Sequence, residues 1–193
     1  MELPIITIME SSEYEKSWKG YLENTHDKLV KILLPDLSEK DTILDVSCGT
    51  GMLASHLIKR EAPFRELVMN DISSNMLKTA QSRLPSDPRL TFSIQPAENL
   101  EFGTNRFTRI ICLNAFHNYD QPTVVLNQFK RILTPDGKLY LLDWNRTGWF
   151  RLINTLIRWT GRETINTFNL QEITYLLEKF EFNILYTDQW NYR

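Results

Sequence analysis

The sequence predicts one α/β domain: a mostly parallel sheet with helices on both faces and an antiparallel C-terminal edge strand. Three stretches carry that expectation. Thr42-Ile43-Leu44-Asp45-Val46 is a β-branched apolar run that breaks into Ser47-Cys48-Gly49-Thr50-Gly51 and opens directly into Met52–Ile58. In that third piece Leu53 and Leu57, and Ala54 and Ile58, lie four apart, which is helical spacing. Glu66-Leu67-Val68-Met69-Asn70 repeats the scheme and ends on Asp71. Arg109-Ile110-Ile111-Cys112-Leu113 is near-continuously apolar, as a central parallel strand requires. Strands separated by single helices return beside their predecessors through right-handed crossovers.

The bulk numbers fit one such unit. The chain has 193 residues, 42% of them hydrophobic, enough to bury one core. The reading divides it into an N-terminal helical cap (1–40), a binding core (41–144), a lid-like helical insertion (145–168) and a C-terminal helix and strand (169–193). Net charge is −2 with a pI near 6.0. No strongly basic surface follows, so nucleic acid is not expected as a partner. Cys48 and Cys112 read as reduced thiols, which with no signal-peptide pattern at Met1–Pro4 points to a cytoplasmic protein. No run of eighteen apolar residues spans a membrane. The three His and two Cys show no metal-ligand spacing, so no metal is expected.

Taken in order, Ser12–Leu34 fits an amphipathic helix, or two with a break near Asn24, ended by Pro35. The 42–51 strand and loop then gather backbone N–H groups and a helix dipole toward a ligand. A Cβ at the glycines would block both the turn and the ligand's approach. Gly49-Thr50-Gly51-Met52-Leu53-Ala54 also satisfies the G-x-G-x-x-A pattern of dinucleotide sites. Asp45 argues against a pyrophosphate, which it would repel, and for a cationic amino group. Asp71 lies 20 residues beyond Gly51, one helix plus one strand away, where a carboxylate can accept both hydroxyls of a ribose. Ser73 N-caps the next helix, which carries Met76, Leu77, Ala80 and Leu84. Leu90–Gln95 is the third strand, and Asp120 and Pro122 start a helix to Leu133. A turn over Leu133–Leu139 leads to the strand Lys138–Trp144. Asn169 N-caps a helix through Phe180, and Phe182–Trp190 reads as the edge strand.

Asp45-x-x-Cys48-Gly49-Thr50-Gly51 after a strand resembles motif I of the class I S-adenosylmethionine-dependent methyltransferases, with Ser47 where the family usually has Gly. Asp71-Ile72-Ser73-Ser74-Asn75-Met76-Leu77 resembles the second motif. Gln95-Pro96-Ala97-Glu98-Asn99-Leu100-Glu101-Phe102 is similar to the family's Gly-Asp-Ala-Glu-x-Leu-Pro-Phe, with Pro96 in place of the Asp. Leu133-Thr134-Pro135-Asp136-Gly137-Lys138-Leu139 resembles its Leu-x-Pro-Gly-Gly-x-Leu turn. The resemblance covers about residues 40–143. It implies a Rossmann-like fold, S-adenosyl-L-methionine as cofactor and S-adenosyl-L-homocysteine as product. By the same resemblance, Asp45, Ser47, Cys48, Gly49, Gly51 and the Asn114 backbone hold the methionine moiety, and Asp71 holds the ribose. Ile72, Met76, Ala97, Glu98 and Leu100 surround the adenine, and Tyr14, Trp18 or Tyr21 of the N-terminal helix covers the cofactor.

Methyl transfer from a sulfonium is an in-line displacement, in which positioning is worth effective molarities of about 10⁵ M or more. A base is needed only where the acceptor must lose a proton. His117, in the segment Asn114–Tyr119, is the base candidate; Tyr119 and Asp143 are further ones. His26 and His56 sit on helices and read as structural. Neither Asn/Asp-Pro-Pro-Tyr nor a catalytic Pro-Cys occurs. Phe116, Tyr119, Trp144, Trp149 and Phe150, with Asp143, favour a small apolar or aromatic acceptor, in the manner of small-molecule methyltransferases that include those of quinone biosynthesis. The insertion, with Arg146, Arg151, Arg158 and Arg162 among apolar residues, reads as a lid, as packing, or as a weak membrane-surface contact through 146–162. A nicotinamide-dependent oxidoreductase and a non-catalytic binding module are the alternatives, and the oligomeric state stays open.

Overall fold

The computed structural model describes residues 11–145 and 166–189, with the side chains of the first helix from residue 19 onward. Tyr14, Trp18, Trp149, Phe150 and the character of the insertion lie outside the described side chains.

Helix α1 (Ser11–Leu33) is continuous through Asn24 and ends in a 3-10 turn at Leu34–Asp36 that contains Pro35. Strand β1 (Thr42–Val46) follows, then α2 (Met52–Lys59), β2 (Glu66–Asn70), α3 (Ser74–Arg83) and β3 (Leu90–Ser93). The second half contains β4 (Phe107–Leu113), a 3-10 turn at Phe116–Asn118, α4 (Pro122–Ile132), β5 (Leu133–Leu142) and α5 (Leu170–Lys179). The strand order is β3-β2-β1-β4-β5, and every neighbouring pair is parallel. Chain order reverses between β1 and β4, and such a switch point opens a crevice at the carboxyl ends of the strands.

Alternation along the strands sorts the core into two layers. Ile43, Met69, Ile111 and Leu113 pack with Leu29, Val30 and Leu33 of α1 and Leu53 and Leu57 of α2. Leu44, Val46, Ile110 and Cys112 pack on the other face with Val125, Leu126 and Phe129 of α4 and with α5. Helices therefore cover both faces, as the apolar strands demand. The two N-cap expectations hold: Ser73 accepts from the Met76 N–H, and Asn169 with Glu172 forms a reciprocal capping box.

Two elements differ from the sequence reading. β5 begins at Leu133, and the expected turn is absorbed into it as an irregularity. Phe107 pairs with Leu133 but Arg109 pairs with Lys138, so the residues between them swell outward while pairing resumes. A Cβ on Gly137 would meet Leu133 Cδ1 at 2.7 Å, which is why glycine sits in that swelling. The expected edge strand over Phe182–Trp190 is absent among its described residues, 182–189, which are irregular. Side chains hold this segment where a ladder was expected: Phe182 packs on the core, Lys28 Nζ meets Asp188 at 2.7 Å, and Asn145 Nδ2 donates to Gln189 Oε1 at 3.0 Å. Leu185 and Tyr186 are 75% and 63% exposed.

The ends of the insertion are close together. Asn145 and Phe168 form a parallel bridge, the Asn166 N–H donates to the His117 carbonyl at 2.7 Å, and Asn166 Nδ2 donates to the Tyr119 carbonyl at 2.9 Å. Among the described residues, no helix is long and apolar enough to cross a membrane.

Candidate functional site

The carboxyl ends of β1 and β4 deliver Asp45, Ser47, Cys48, Gly49 and Asn114 to one cleft, and Asp71 at the end of β2 is bonded to its Gly49. The β1–α2 loop has left-handed backbone at Ser47 (φ 58°), Gly49 (φ 54°) and Gly51 (φ 75°). The Cys48 N–H donates to the Asn70 carbonyl at 3.0 Å and the Gly51 N–H to the Cys48 carbonyl at 3.1 Å. At Gly51 a Cβ would stand 2.9 Å from Ala80 Cβ, whereas at Gly49 it would meet nothing within 4 Å. Gly51 thus lets α2 pack against α3, while Gly49 faces open space.

Asp71 stands at the end of β2 with both oxygens oriented. Oδ2 accepts from the Gly49 N–H at 2.8 Å, and Oδ1 accepts from the Ser73 N–H at 2.8 Å. Burial raises its pKa above the usual carboxylate range, against the opposing effect of those two N–H groups. Each oxygen keeps a second lone pair for a further donor, as a ribose diol would require.

Asp45 is buried beneath the loop, on the face of β1 that meets α1 and α2. Burial, and secondarily the charge of Asp71, push its pKa well above the usual range. Its Oδ2 is buried without a hydrogen-bond partner. It contributes to a cleft lined by Leu22, His26, Ser47, Cys48, Gly49, Thr50, Met52, Leu113 and Asn114. An orphaned carboxylate oxygen in a cleft is the acceptor that a cationic amino group satisfies. His26, read as structural from the sequence, is therefore a wall of the cleft; its Nδ1 also approaches the Leu22 carbonyl at 2.6 Å. Helical position alone hid this, because it does not say which face α1 turns to the sheet.

Asn114 follows β4 with φ 53° and joins α1 to the sheet. Its Oδ1 accepts from the Tyr21 hydroxyl at 2.9 Å, and its Nδ2 donates to Thr25 Oγ1 at 3.0 Å. Just past the adjacent ends of β2 and β3, Ile72 and Ile94 are 68% and 62% exposed. Ile94 was not among the expected residues, because the sequence reading places it inside a strand over Leu90–Gln95 whereas the strand ends at Ser93. Met76 and Glu98 are half-buried, Ala97 is buried, and Leu100 lies in the core against the α4 face. The side chain of Leu100, expected as an adenine wall, offers almost no surface.

The segment after β4 packs more deeply than expected. Phe116, expected as a pocket wall, is a core residue, edge-on to Tyr119 and tilted against Phe168. Tyr119 is buried, with its hydroxyl 2.9 Å from Ser47 Oγ and 3.6 Å from Cys112 Sγ. His117 Nδ1 lies 2.5 Å from Asp143 Oδ1, and its N–H donates to Asp143 Oδ2 at 2.8 Å. The Trp144 N–H also donates to Asp143, at 2.6 Å, and its indole stacks on the His117 ring, centroids 4.2 Å apart. Burial pushes up the pKa of the Cys48 and Cys112 thiols and of the Tyr119 hydroxyl, so neither thiol is poised as a nucleophile. Among the described residues no group of three or more His, Cys, Asp or Glu could hold a metal ion.

Residues 43–137 match the family described as methyltransferase domain. Over these residues the chain carries a class I S-adenosylmethionine-dependent methyltransferase domain. It is 29% identical over 133 residues to the ubiquinone/menaquinone biosynthesis C-methyltransferase of Bordetella avium, covering 64% of this chain and 51% of that one. It is 34% identical over 116 residues to the demethylmenaquinone methyltransferase of Thermotoga maritima, covering 60% and 48%. The chain thus spans about half the length of the curated relatives it matches. Its fold is also that of a SAM-dependent methyltransferase structure from Thermotoga maritima, with TM-score 0.70 and 21% identity over 90% of this chain and 77% of that chain. Within this family Ser47 occupies a left-handed position, which explains the usual preference for glycine there.

Proposed function

We propose that this methyltransferase-family chain moves a methyl group from S-adenosylmethionine to a small apolar or aromatic acceptor. The observation that carries the reading is Asp71, whose two oxygens are fixed by the Gly49 and Ser73 N–H groups beside the orphaned oxygen of Asp45. S-adenosylmethionine, when bound, supplies an electrophilic methyl on a sulfonium. We assign Asp71 to the ribose hydroxyls, Asp45 and the Ser47–Gly51 loop with Asn114 to the methionine end, and Ile72, Ile94, Met76, Ala97 and Glu98 to the adenine.

The acceptor class rests on the aromatic character of the post-β4 and post-β5 segments and on the quinone-type relatives. Trp144 is stacked on the candidate base, His117. Pairing of His117 Nδ1 with the Asp143 carboxylate favours the tautomer that leaves Nε2 as the proton acceptor. For an acceptor that must lose a proton, we assign that role to His117, with Asp143 orienting it.

Calorimetric titration with S-adenosylmethionine, S-adenosylhomocysteine and NADH, repeated on Asp71→Ala, tests the reading. Micromolar binding of both adenosyl ligands, weakened tenfold or more (~1.4 kcal/mol) in the variant, is expected. Binding of NADH alone would move the chain to the oxidoreductases. Silence toward all three, with the protein folded, would leave a binding module.

A further inference from the structure

The two central strands end in the same unusual way. β1 is followed by Ser47 and β4 by Asn114, both non-glycine residues in the left-handed region. Each has its side chain bonded to a tyrosine hydroxyl from a distant element: Ser47 to Tyr119 at 2.9 Å, Asn114 to Tyr21 at 2.9 Å. Asparagine tolerates this backbone region, whereas serine pays a steric cost there. Something must hold Ser47 in place.

We infer that Tyr119 is a positioning residue for the cofactor loop: its hydroxyl clamps Ser47 in the left-handed conformation that presents the Cys48–Gly51 loop to the methionine end. This rests on the proposed cofactor site and deepens it. Three features make the clamp stiff. The Tyr119 ring is buried and edge-on to Phe116, its carbonyl is held by Asn166 Nδ2, and its hydroxyl has Cys112 Sγ as a second neighbour. The bond spans 72 residues and ties the β1–α2 loop to the turn that follows β4. It therefore couples the loop expected to hold the cofactor to the segment that carries His117. Tyr119, expected from the sequence as an acceptor-pocket residue, turns its hydroxyl to the loop instead.

The geometry makes unequal demands on residue 47. Glycine needs no clamp, because it adopts this backbone region freely. Alanine keeps the steric cost and loses the bond. The variants are Tyr119→Phe, Ser47→Gly, Ser47→Ala and the Tyr119→Phe/Ser47→Gly pair, each read twice. Amide hydrogen exchange of residues 47–51 is measured on ligand-free protein, and S-adenosylhomocysteine affinity by calorimetry. Tyr119→Phe and Ser47→Ala are expected to speed loop exchange and weaken the ligand by roughly threefold to tenfold, the scale of one hydrogen bond. Whatever Ser47→Gly itself does to affinity, adding Tyr119→Phe to it changes neither readout, because glycine holds this backbone without the bond. A Tyr119→Phe effect of equal size with and without Ser47→Gly would overturn the clamp, as would loop exchange indifferent to Tyr119→Phe. Exchange data that follow the scheme in a protein that binds no adenosyl ligand would leave the clamp standing and sink the cofactor reading.

Discussion

Gly49 and Asp71 are joined by a 2.8 Å hydrogen bond from the glycine N–H to the carboxylate. The bond links two adjacent strand ends that lie 22 residues apart in the chain. It means that the group assigned to the ribose also shapes the loop assigned to the methionine end. Asp71→Asn keeps one acceptor oxygen but can turn an amide N–H toward the Gly49 or Ser73 donor. We expect this near-isosteric change to weaken S-adenosylhomocysteine by tenfold or more in calorimetry and to lower the thermal midpoint, since one backbone donor loses its acceptor.

The glycines of the loop separate stability from binding. Gly51→Ala places a Cβ 2.9 Å from Ala80 Cβ at a left-handed φ. Such strain costs about 1–3 kcal/mol, and the clash adds to it, so the melting temperature should drop by roughly 4–10 °C. Gly49→Ala meets no neighbour and should lower the melting temperature by only about 2–4 °C. Its cost should appear in cofactor affinity, since the added methyl stands in the open crevice.

Asp45 couples the site to pH. Its folded-state pKa is raised, by burial first and by Asp71 second, while in the unfolded chain it returns to about 3.9. As pH rises between those two values, the folded state keeps a proton that the unfolded state has released. Stability therefore falls through that interval. Asp45→Asn should flatten this decline, leaving the ligand-free protein more stable near neutrality than the parent, and should weaken S-adenosylmethionine. Denaturant midpoints measured from pH 4 to 8 on both proteins decide it; a parent curve that rises with pH to the same degree as the variant's would refute the assignment.

The two readings, fold and site, were legible to different depths. Apolar runs ending on Asp45, Asp71 and Asn114 placed β1, β2 and β4 because a parallel strand buried on both faces must be continuously apolar. The caps at Ser73 and Asn169 were legible because a cap is a local bond, three residues long. The tail after α5 was not. Phe182–Trp190 has strand-forming residues, but a ladder needs a partner strand, and ion pairing by Asp188 with α1 is invisible to local pattern. Leu22 and His26 as cleft walls, the Tyr21–Asn114 bond and the Ser47–Tyr119 bond were hidden for the same reason. Each depends on how elements far apart in the chain are rotated against one another.

Asn114 makes the α1 interface testable. Asn114→Ala removes the acceptor of Tyr21 and the donor to Thr25, and it leaves a left-handed backbone without a residue that tolerates it. A loss of about 2 kcal/mol is expected from one strained φ and two bonds. Limited proteolysis should then cut within α1 earlier than in the parent, while the sheet core remains resistant.

Asp143 is the acceptor for three donors: the His117 N–H, the His117 ring and the Trp144 N–H. Bonds to a charged acceptor are worth about 1.5–3 kcal/mol each, and buried donors left unpaired are costly. Asp143→Ala should lower stability by about 3 kcal/mol, or roughly 6–12 °C in melting temperature. Asp143→Asn, which retains one acceptor oxygen, should lose less than half of that in the same calorimetric scan.

The bridge between Asn145 and Phe168, with Asn166 fastened to the turn after β4, makes residues 146–165 a cassette with a sutured neck. Because the entry and exit points are fixed by the body of the domain, exchanging the cassette for a longer one adds only a small closure cost, about 0.6 kcal/mol for each doubling in length. A change of length between those fixed points therefore need not disturb the strand ends that carry Asp45 and Asp71.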